Sequence, residues 1–323
     1  MYAELKRAQP RALKILENSI KSNRLSHAYL FTGPDGSYKK EMAYHFALML
    51  YCKENTPCYE CTNCKAILEN RHLNVYYIEP IGQSIKKEQV LALQDEFSKT
   101  SLLEGPRIYI INEADTMSAS AANSLLKFIE EPVNEQTYGI LITKHKDNIL
   151  STIISRSMVI NFDELDKNII CEKLTLEIEN KVMIDSLCVL TSNYDEAIEM
   201  SKNESISKTI GVFEKYVLQL YNNNPLALFY RVNAEVLGNR ENLKMFLVLL
   251  ECFYRDIYEY QITNRILVYN SLLEEIKKIS KKISSENILN ILFQILELIK
   301  KIGYNVNMNL LLNKFLSETN GGV

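Results

Sequence analysis

The chain has 323 residues, of which 47% are apolar and 24% charged, and its formal net charge at pH 7 is −3. The length suits two or three domains, and the near-neutral charge excludes a global attraction to nucleic acid, so that any DNA contact must come from a local patch. No apolar run is long enough to cross a bilayer, and the N-terminal segment lacks a signal-peptide core. We therefore expect a cytosolic protein without a membrane role, whose seven cysteines are reduced thiols or metal ligands.

Short apolar segments rich in Ile, Val and Tyr alternate with helical patterns through the first half of the chain. Segments of this kind are typical of strands that are buried on both faces of a parallel sheet covered by helices. The predicted strands are 28–32 (AYLFT), 74–79 (NVYYIE), 107–112 (RIYIIN), 138–143 (YGILIT) and 157–161 (SMVIN).

Helical patterns separate these strands and take over after residue 162. One helix is predicted over 118–131, where Ser118 can cap the start and Pro132 can stop the end. Its apolar stripe consists of Ala122, Leu125, Leu126 and Ile129. The segment 163–204 reads as a few short helices, and the chain is predicted to be helical from about residue 206 onward.

The segment 31–43 (FTGPDGSYKKEMA) follows the first predicted strand and has the outline of a phosphate-binding loop, G-x-x-x-x-G-K-[ST]. Gly33, Gly36 and Lys39 occupy motif positions and are the candidate nucleotide-binding residues. Tyr38 stands where the backbone often needs glycine. Lys40 replaces the hydroxyl that holds Mg²⁺, so its ammonium is expected in the place of the ion. These two changes disfavour MgATP turnover, and an ordinary strand–turn–helix remains the alternative.

The end of the third predicted strand, in IYIINEADTM, bears on the same question. Nucleotide hydrolases usually end this strand in Asp-Glu, where the Asp organises Mg²⁺ and the Glu polarises water. Asn112 is neutral at the first of these positions, whereas Glu113 is present at the second. Lys40 and Asn112 thus alter both positions that would hold Mg²⁺, which indicates a site that has lost hydrolysis.

Four cysteines lie close together in YCKENTPCYECTNCK, with the spacing C-x5-C-x2-C-x2-C. Cys52, Cys58, Cys61 and Cys64 are predicted to bind Zn²⁺ in a compact knuckle at 52–64. Because four protein thiolates leave no open coordination position, this zinc is expected to be structural. A redox pair and an iron–sulfur cluster are the alternatives. The other three cysteines are expected to be core residues.

These segments together carry a resemblance to a known family. RLSHAYLFTGPDG (24–36), the four-cysteine insert, EADTMSASAANSLLKFIEEP (113–132) and ISRS (154–157) resemble the delta-prime subunits of bacterial DNA polymerase III clamp loaders, which are AAA+ proteins. FYRDIY (253–258) and NVNMNLLL (305–312) resemble the C-terminal collar helices of this group. The resemblance covers nearly the whole chain.

The resemblance implies a fold that is α/β plus all-α. Its parts would be a RecA-like AAA+ sheet domain with the zinc knuckle over 1–162, a small helical lid over 163–205 and a helical collar for oligomerisation over 206–323. It also implies a hetero-pentameric ring with gamma/tau and delta subunits. That ring uses ATP to load the sliding clamp onto primed DNA in the bacterial cytoplasm.

Within such a ring, delta-prime is a stator that does not hydrolyse ATP and supplies an arginine to the ATP site of the neighbouring motor subunit. Arg156 in SRS matches that arginine. The family's motif is Ser-Arg-Cys, and this chain has Ser157 in the place of the cysteine. Alone, such an arginine would be read as a solvated side chain. Two other hypotheses remain: an ATP-hydrolysing gamma/tau-type motor, supported by Lys39, Glu113 and Thr143, and a zinc-bearing nucleic-acid-binding module.

Overall fold

The chain folds as two compact units, Met1–Leu165 and Asp166–Val323. The structure is a computed structural model that describes residues 1–54, 56–99, 103–130, 136–222, 229–302, 310, 312, 315 and 316. Within these ranges, no helix has both the length and the apolar character that crossing a membrane requires. The finer boundaries between a lid and a collar inside the second unit stay predictions.

The first unit is built on a five-stranded, all-parallel sheet, which confirms the predicted strands. The strands are β1 (Ala28–Thr32), β2 (Val75–Ile78), β3 (Arg107–Ile111), β4 (Thr137–Thr143) and β5 (Met158–Asn161). Their order across the sheet is β2-β3-β4-β1-β5. The carboxyl ends of β1, β3 and β4 therefore meet at one edge of the sheet, the place where open α/β folds bind ligands.

Helices surround this sheet and supply its cover. They are α1 (Tyr2–Ala8), α2 (Pro10–Lys21), α3 (Lys39–Tyr51), α4 (Thr62–Leu68), α5 (Lys87–Ser98), α6 (Ala119–Glu130) and α7 (Ser151–Ile154). The helix predicted over 118–131 is α6, and the Ser118 hydroxyl accepts the Ala121 N–H at 3.2 Å as the predicted cap. The predicted stop at Pro132 lies outside the described residues.

One hydrophobic core joins the sheet to α5, α6 and α7. Burial of apolar side chains on both faces of the sheet explains why the strands are continuous apolar runs. From α6 this core takes Leu125, Phe128 and Ile129, and from α7 it takes Ile153. The last turn of α6 and the end of α7 are therefore anchored to the same core.

The second unit is helical throughout its described residues. Its helices are α8 (Lys167–Leu174), α9 (Lys181–Leu190), α10 (Tyr194–Lys202), α11 (Glu204–Tyr221), α12 (Phe229–Val232), α13 (Ala234–Leu237), α14 (Arg240–Thr263), α15 (Leu273–Ser280) and α16 (Ser285–Ile302). The predicted collar motif 305–312 lies almost entirely outside the described residues.

Two cysteines of this unit do not match the expectation of seven reduced thiols or metal ligands. Cys171 on α8 and Cys188 on α9 form a disulfide, with their Cα atoms 6.1 Å apart. That expectation is therefore wrong for this pair. The sequence could not reveal it, because α8 and α9 bring the two residues together only when they pack. Cys252 is a buried free thiol on α14, as expected of a core residue.

A buried carboxylate fixes the end of α14 to the segment that follows it. Asp256, in the predicted collar motif FYRDIY, has no solvent exposure. Its oxygens accept the backbone N–H groups of Leu267, Val268 and Tyr269 at 3.0, 3.1 and 2.7 Å. Burial raises the pKa of Asp256, and the three N–H groups act in the opposite direction.

We expect Asp256→Asn to destabilise the second unit by about 3 kcal/mol, because the new amide donor faces N–H groups that then lack an acceptor. This change corresponds to a fall in melting temperature of about 6–12 °C. Thermal unfolding of the full chain measures it. The control is Asp195→Asn on the exposed side of α10, which should stay within about 0.5 kcal/mol of wild type. Equal melting temperatures for the two variants would contradict a stabilising role for the Asp256 carboxylate.

Candidate functional site

The predicted phosphate loop connects β1 to α3 at the carboxyl edge of the sheet. Gly33 has no room for a side chain, since a Cβ there would lie 2.3 Å from the Phe162 carbonyl oxygen at the end of β5. Gly36 has φ +71°, a left-handed conformation that glycine adopts without strain. Both glycines are therefore required by the shape of the loop itself.

Tyr38 occupies the position where the motif has glycine, and its backbone is left-handed, with φ +63°. For a residue with a Cβ this conformation costs about 1–2 kcal/mol. The tyrosine thus stands in a loop whose backbone still follows the glycine geometry, as the sequence suggested. Its side chain is almost completely buried.

Lys39 begins α3, and its ammonium folds back onto the loop. Its Nζ donates to the Gly33 carbonyl at 2.7 Å, to the Pro34 carbonyl, and to the Ser37 hydroxyl at 3.2 Å. An ammonium has three donors, so the loop's own acceptors satisfy all of them. Burial lowers the pKa of Lys39 to about 8. The three hydrogen bonds thus hold the Lys39 ammonium within the loop.

Lys40 does not lie where the sequence suggested. We expected its ammonium in the place of the magnesium ion, but its Nζ lies 4.7 Å from the centre of the Tyr77 ring. The expectation is wrong, because a cation–π contact with β2 draws the long side chain away from the phosphate loop. The motif's Mg²⁺-binding hydroxyl is nevertheless absent at this position.

A cavity of about 460 Å³ lies beside the loop, at the ends of β3 and β4. Its lining residues are Asp35, Lys39, Asn112, Glu113, Asp115, Ile142, Thr143, Lys144 and His145. Three carboxylates face two lysines here, and one of those lysines, Lys144, is paired with Asp35. This charge balance suits a triphosphate poorly, because the phosphates carry the same sign as the carboxylates.

One polar atom of this cavity has no partner among the described residues. The Thr143 hydroxyl at the end of β4 is buried and makes no hydrogen bond. Asn112 also lines the cavity and brings a neutral amide where a carboxylate would organise Mg²⁺. The cavity thus lies beside the predicted loop, while Lys40 and Asn112 replace the two groups with which the motif would hold Mg²⁺.

The four predicted metal ligands meet at one point. Sγ atoms of all four cysteines lie within 4.8 Å of one another. Cys58 Sγ is 3.6 Å from Cys52 Sγ and 3.9 Å from Cys64 Sγ. Tetrahedral Zn²⁺ with Zn–S bonds of about 2.3 Å places its sulfurs about 3.8 Å apart, so the cluster fits this ion. Described residues elsewhere in the chain form no comparable group of three or more metal-binding side chains.

Local structure explains why these four sulfurs converge. Cys52 directly follows α3, Cys61 directly precedes α4, and Cys64 lies in the first turn of α4. The Cys61 N–H donates to the Cys58 sulfur at 3.3 Å. The backbone N–H groups of Glu60 and Cys61 lower the pKa of the Cys58 thiol, which favours the thiolate that a metal binds. A bound ion would tie the end of α3 to the start of α4.

Arg156 lies on the surface just after α7. Its Nη1 donates to the Thr152 carbonyl at 3.1 Å, and its Nη2 is 2.8 Å from Oε1 of Glu130 at the end of α6. The side chain is 42% exposed and does not line the cavity beside Lys39. The Ser157 hydroxyl, in the place of the family's cysteine, donates to the Ile153 carbonyl at 2.8 Å. Arg156 is therefore a half-exposed surface residue that takes no part in the chain's own cavity.

The predicted loop residues contact one another, and the four predicted cysteines form a separate cluster. Arg156 is not part of either group. The sequence did not reveal Glu130 as the partner of Arg156 or Asp35 as the partner of Lys144. Both pairs join residues that are distant along the chain, and no local pattern marks them.

Comparison with known families gives matches in both units. Residues 8–166 match the family described as "DNA polymerase III, delta subunit". Residues 222–320 match the family described as "DNA polymerase III, delta subunit, C terminal".

The chain is also similar to individual proteins. DNA polymerase III subunit delta' of Bacillus subtilis is 37% identical over 312 residues, which are 95% of this chain and 94% of that protein. DNA polymerase III subunit tau of the same organism is 31% identical over 169 residues, 51% of this chain but only 30% of that protein. A gamma subunit-related protein of Thermotoga maritima, 17% identical, aligns in three dimensions over 96% of this chain and 99% of its own, with a TM-score of 0.42.

Proposed function

From the premise that this chain belongs to the delta-prime family of bacterial DNA polymerase III subunits, we propose that it is the stator subunit of a clamp loader. The observation that carries the proposal is the similarity to the Bacillus subtilis delta' subunit, which spans both compact units. In this role the chain assembles with gamma/tau and delta subunits in a hetero-pentameric ring. The ring loads the sliding clamp onto primed DNA in the cytoplasm at the replication fork.

The geometry of the phosphate loop supports a subunit that does not hydrolyse ATP. The Lys39 donors are satisfied by the loop, Tyr38 stands in the glycine position, and Asn112 brings no charge for Mg²⁺. Each feature removes a part of the machinery that phosphoryl transfer needs. The gamma/tau-type motor is the less favoured function for this reason. Zn²⁺ on Cys52, Cys58, Cys61 and Cys64 is proposed as a structural ion.

In the proposed ring, Arg156 acts on the ATP of the neighbouring motor subunit. Its guanidinium is exposed, and it lies outside the chain's own cavity. A planar, permanently charged guanidinium suits the charge that develops on a transferring γ-phosphate. The chemistry therefore lies between subunits, and the chain contributes to it without turning over nucleotide itself.

Two measurements on purified proteins test this proposal. We expect the chain alone to show no more Mg²⁺-dependent ATP hydrolysis than its Lys39→Ala variant. We also expect a mixture of the organism's gamma/tau and delta subunits to load the clamp on primed DNA only when this chain is added. Turnover by the isolated chain that Lys39→Ala abolishes would identify a motor instead. Loading at the full rate without the chain would rule out the stator role.

A further inference from the structure

The ion pair between Arg156 and Glu130 suggests a role for the glutamate that rests on the proposed function. We propose that Glu130 is a positioning residue, which holds the Arg156 guanidinium in the orientation that the neighbouring subunit's nucleotide requires. Glu130 itself makes no contact with that nucleotide in this scheme and acts through the arginine.

The anchoring of both residues supports this inference. Glu130 directly follows Phe128 and Ile129, which are buried in the core of the first unit. Arg156 follows Ile153, which is buried in the same core. These buried neighbours fix the backbone positions from which the Glu130 and Arg156 side chains extend. The distance between Glu130 Oε1 and Arg156 Nη2 is 2.8 Å. The geometry of the pair is therefore set by the fold.

The hydrogen bonds of Arg156 leave part of its donor set available. A guanidinium has five N–H donors in one plane. One Nη1 donor goes to the Thr152 carbonyl and one Nη2 donor goes to Glu130, so three remain. Holding two donors fixes the plane in which the other three point, which is what a bidentate contact to a phosphate demands.

Without Glu130 the long side chain would keep only the Thr152 carbonyl as a partner. Ordering an arginine side chain costs conformational entropy. Without Glu130, this entropic cost would be added to the free energy of the step in which the arginine binds the phosphate. An exposed ion pair is worth little in water, but it gains strength when a neighbouring subunit covers it and excludes solvent. The effect should therefore appear in the assembled complex.

The test uses the reconstituted complex and the Arg156-dependent turnover, defined as the wild-type ATPase rate minus the rate with Arg156→Ala. We expect Glu130→Gln to lower this quantity about fivefold while the apparent KM for ATP stays unchanged, because the arginine acts in the transition state. Glu130→Asp should recover part of the loss. In an Arg156→Ala background, Glu130→Gln should have no further effect.

The control is Glu96→Gln. It removes the exposed ion pair between Glu96 on α5 and Lys99, in which Lys99 Nζ lies 2.9 Å from Glu96 Oε2, close to the distance in the Glu130–Arg156 pair. It should leave the turnover at the wild-type value. Wild-type turnover for Glu130→Gln would overturn the inference, and so would a loss that persists in the Arg156→Ala background. If Arg156→Ala itself leaves the ATPase unchanged, the trans-acting arginine fails, and the positioning role fails with it. A defect for Arg156→Ala alone would overturn only the positioning role.

Discussion

Replacing Cys64 with serine should abolish the proposed zinc site of the first unit and lower the stability of the chain on the order of 5 kcal/mol. Cys64 is the fully buried member of the cluster, and its sulfur lies 3.9 Å from that of Cys58. The binding energy of a structural zinc is part of the folding energy, because the site does not exist in the unfolded chain. For a unit of this size the expected fall in melting temperature is on the order of 10–20 °C.

Metal analysis and thermal unfolding of the same sample measure this effect. The wild-type chain should contain one zinc, and a chelator should lower its melting temperature towards that of Cys64→Ser. Cys252→Ser is the matched control, because Cys252 is also a buried free thiol but lies on α14, outside the cluster. It should keep its zinc. A full equivalent of zinc in Cys64→Ser, or no response of the wild type to the chelator, would speak against a structural metal.

The features of this chain that are predictable from its sequence are those whose signal is local. The strands were predictable because a buried parallel strand is a continuous apolar run, as in β1 and β3, where every residue is buried. The cysteine cluster was predictable because its signal is local too, since the four cysteines lie between Cys52 and Cys64 in one short segment. The disulfide between Cys171 and Cys188 depends on how two helices pack, which the local pattern does not contain.

The phosphate loop illustrates both outcomes at once. Strain at Tyr38 followed from the motif alone, because the motif states which backbone position needs glycine. The direction of Lys40 did not, because its choice between the loop and the Tyr77 ring depends on β2, which is remote in sequence. The lysine of the motif was found, but its three bonds to the loop were not. A motif identifies positions, whereas partners come from the tertiary fold.

Removing the guanidinium of Arg156 should have the largest effect on activity. We expect Arg156→Ala to slow ATP hydrolysis at the neighbouring motor site by roughly 10³-fold or more, because an arginine in trans neutralises the charge of the transferring γ-phosphate. In the proposed ring this chain supplies a single arginine, so the total ATPase of the complex should fall by the share of the site that Arg156 serves. Stability should change by less than about 1 kcal/mol, because the side chain and its ion pair with Glu130 are exposed.

Two further variants separate the chemistry of Arg156 from its charge and from general surface effects. Arg156→Lys keeps the charge but lacks the planar fork, so it should recover little of the lost turnover. Arg71→Ala removes an exposed, ion-paired arginine elsewhere in the first unit and should leave turnover intact. Full activity of Arg156→Lys would mean that a point charge suffices at this position. Full activity of Arg156→Ala, with the complex still assembled, would mean that the motor site takes its cation from another subunit, and that this chain serves the ring through its architecture alone.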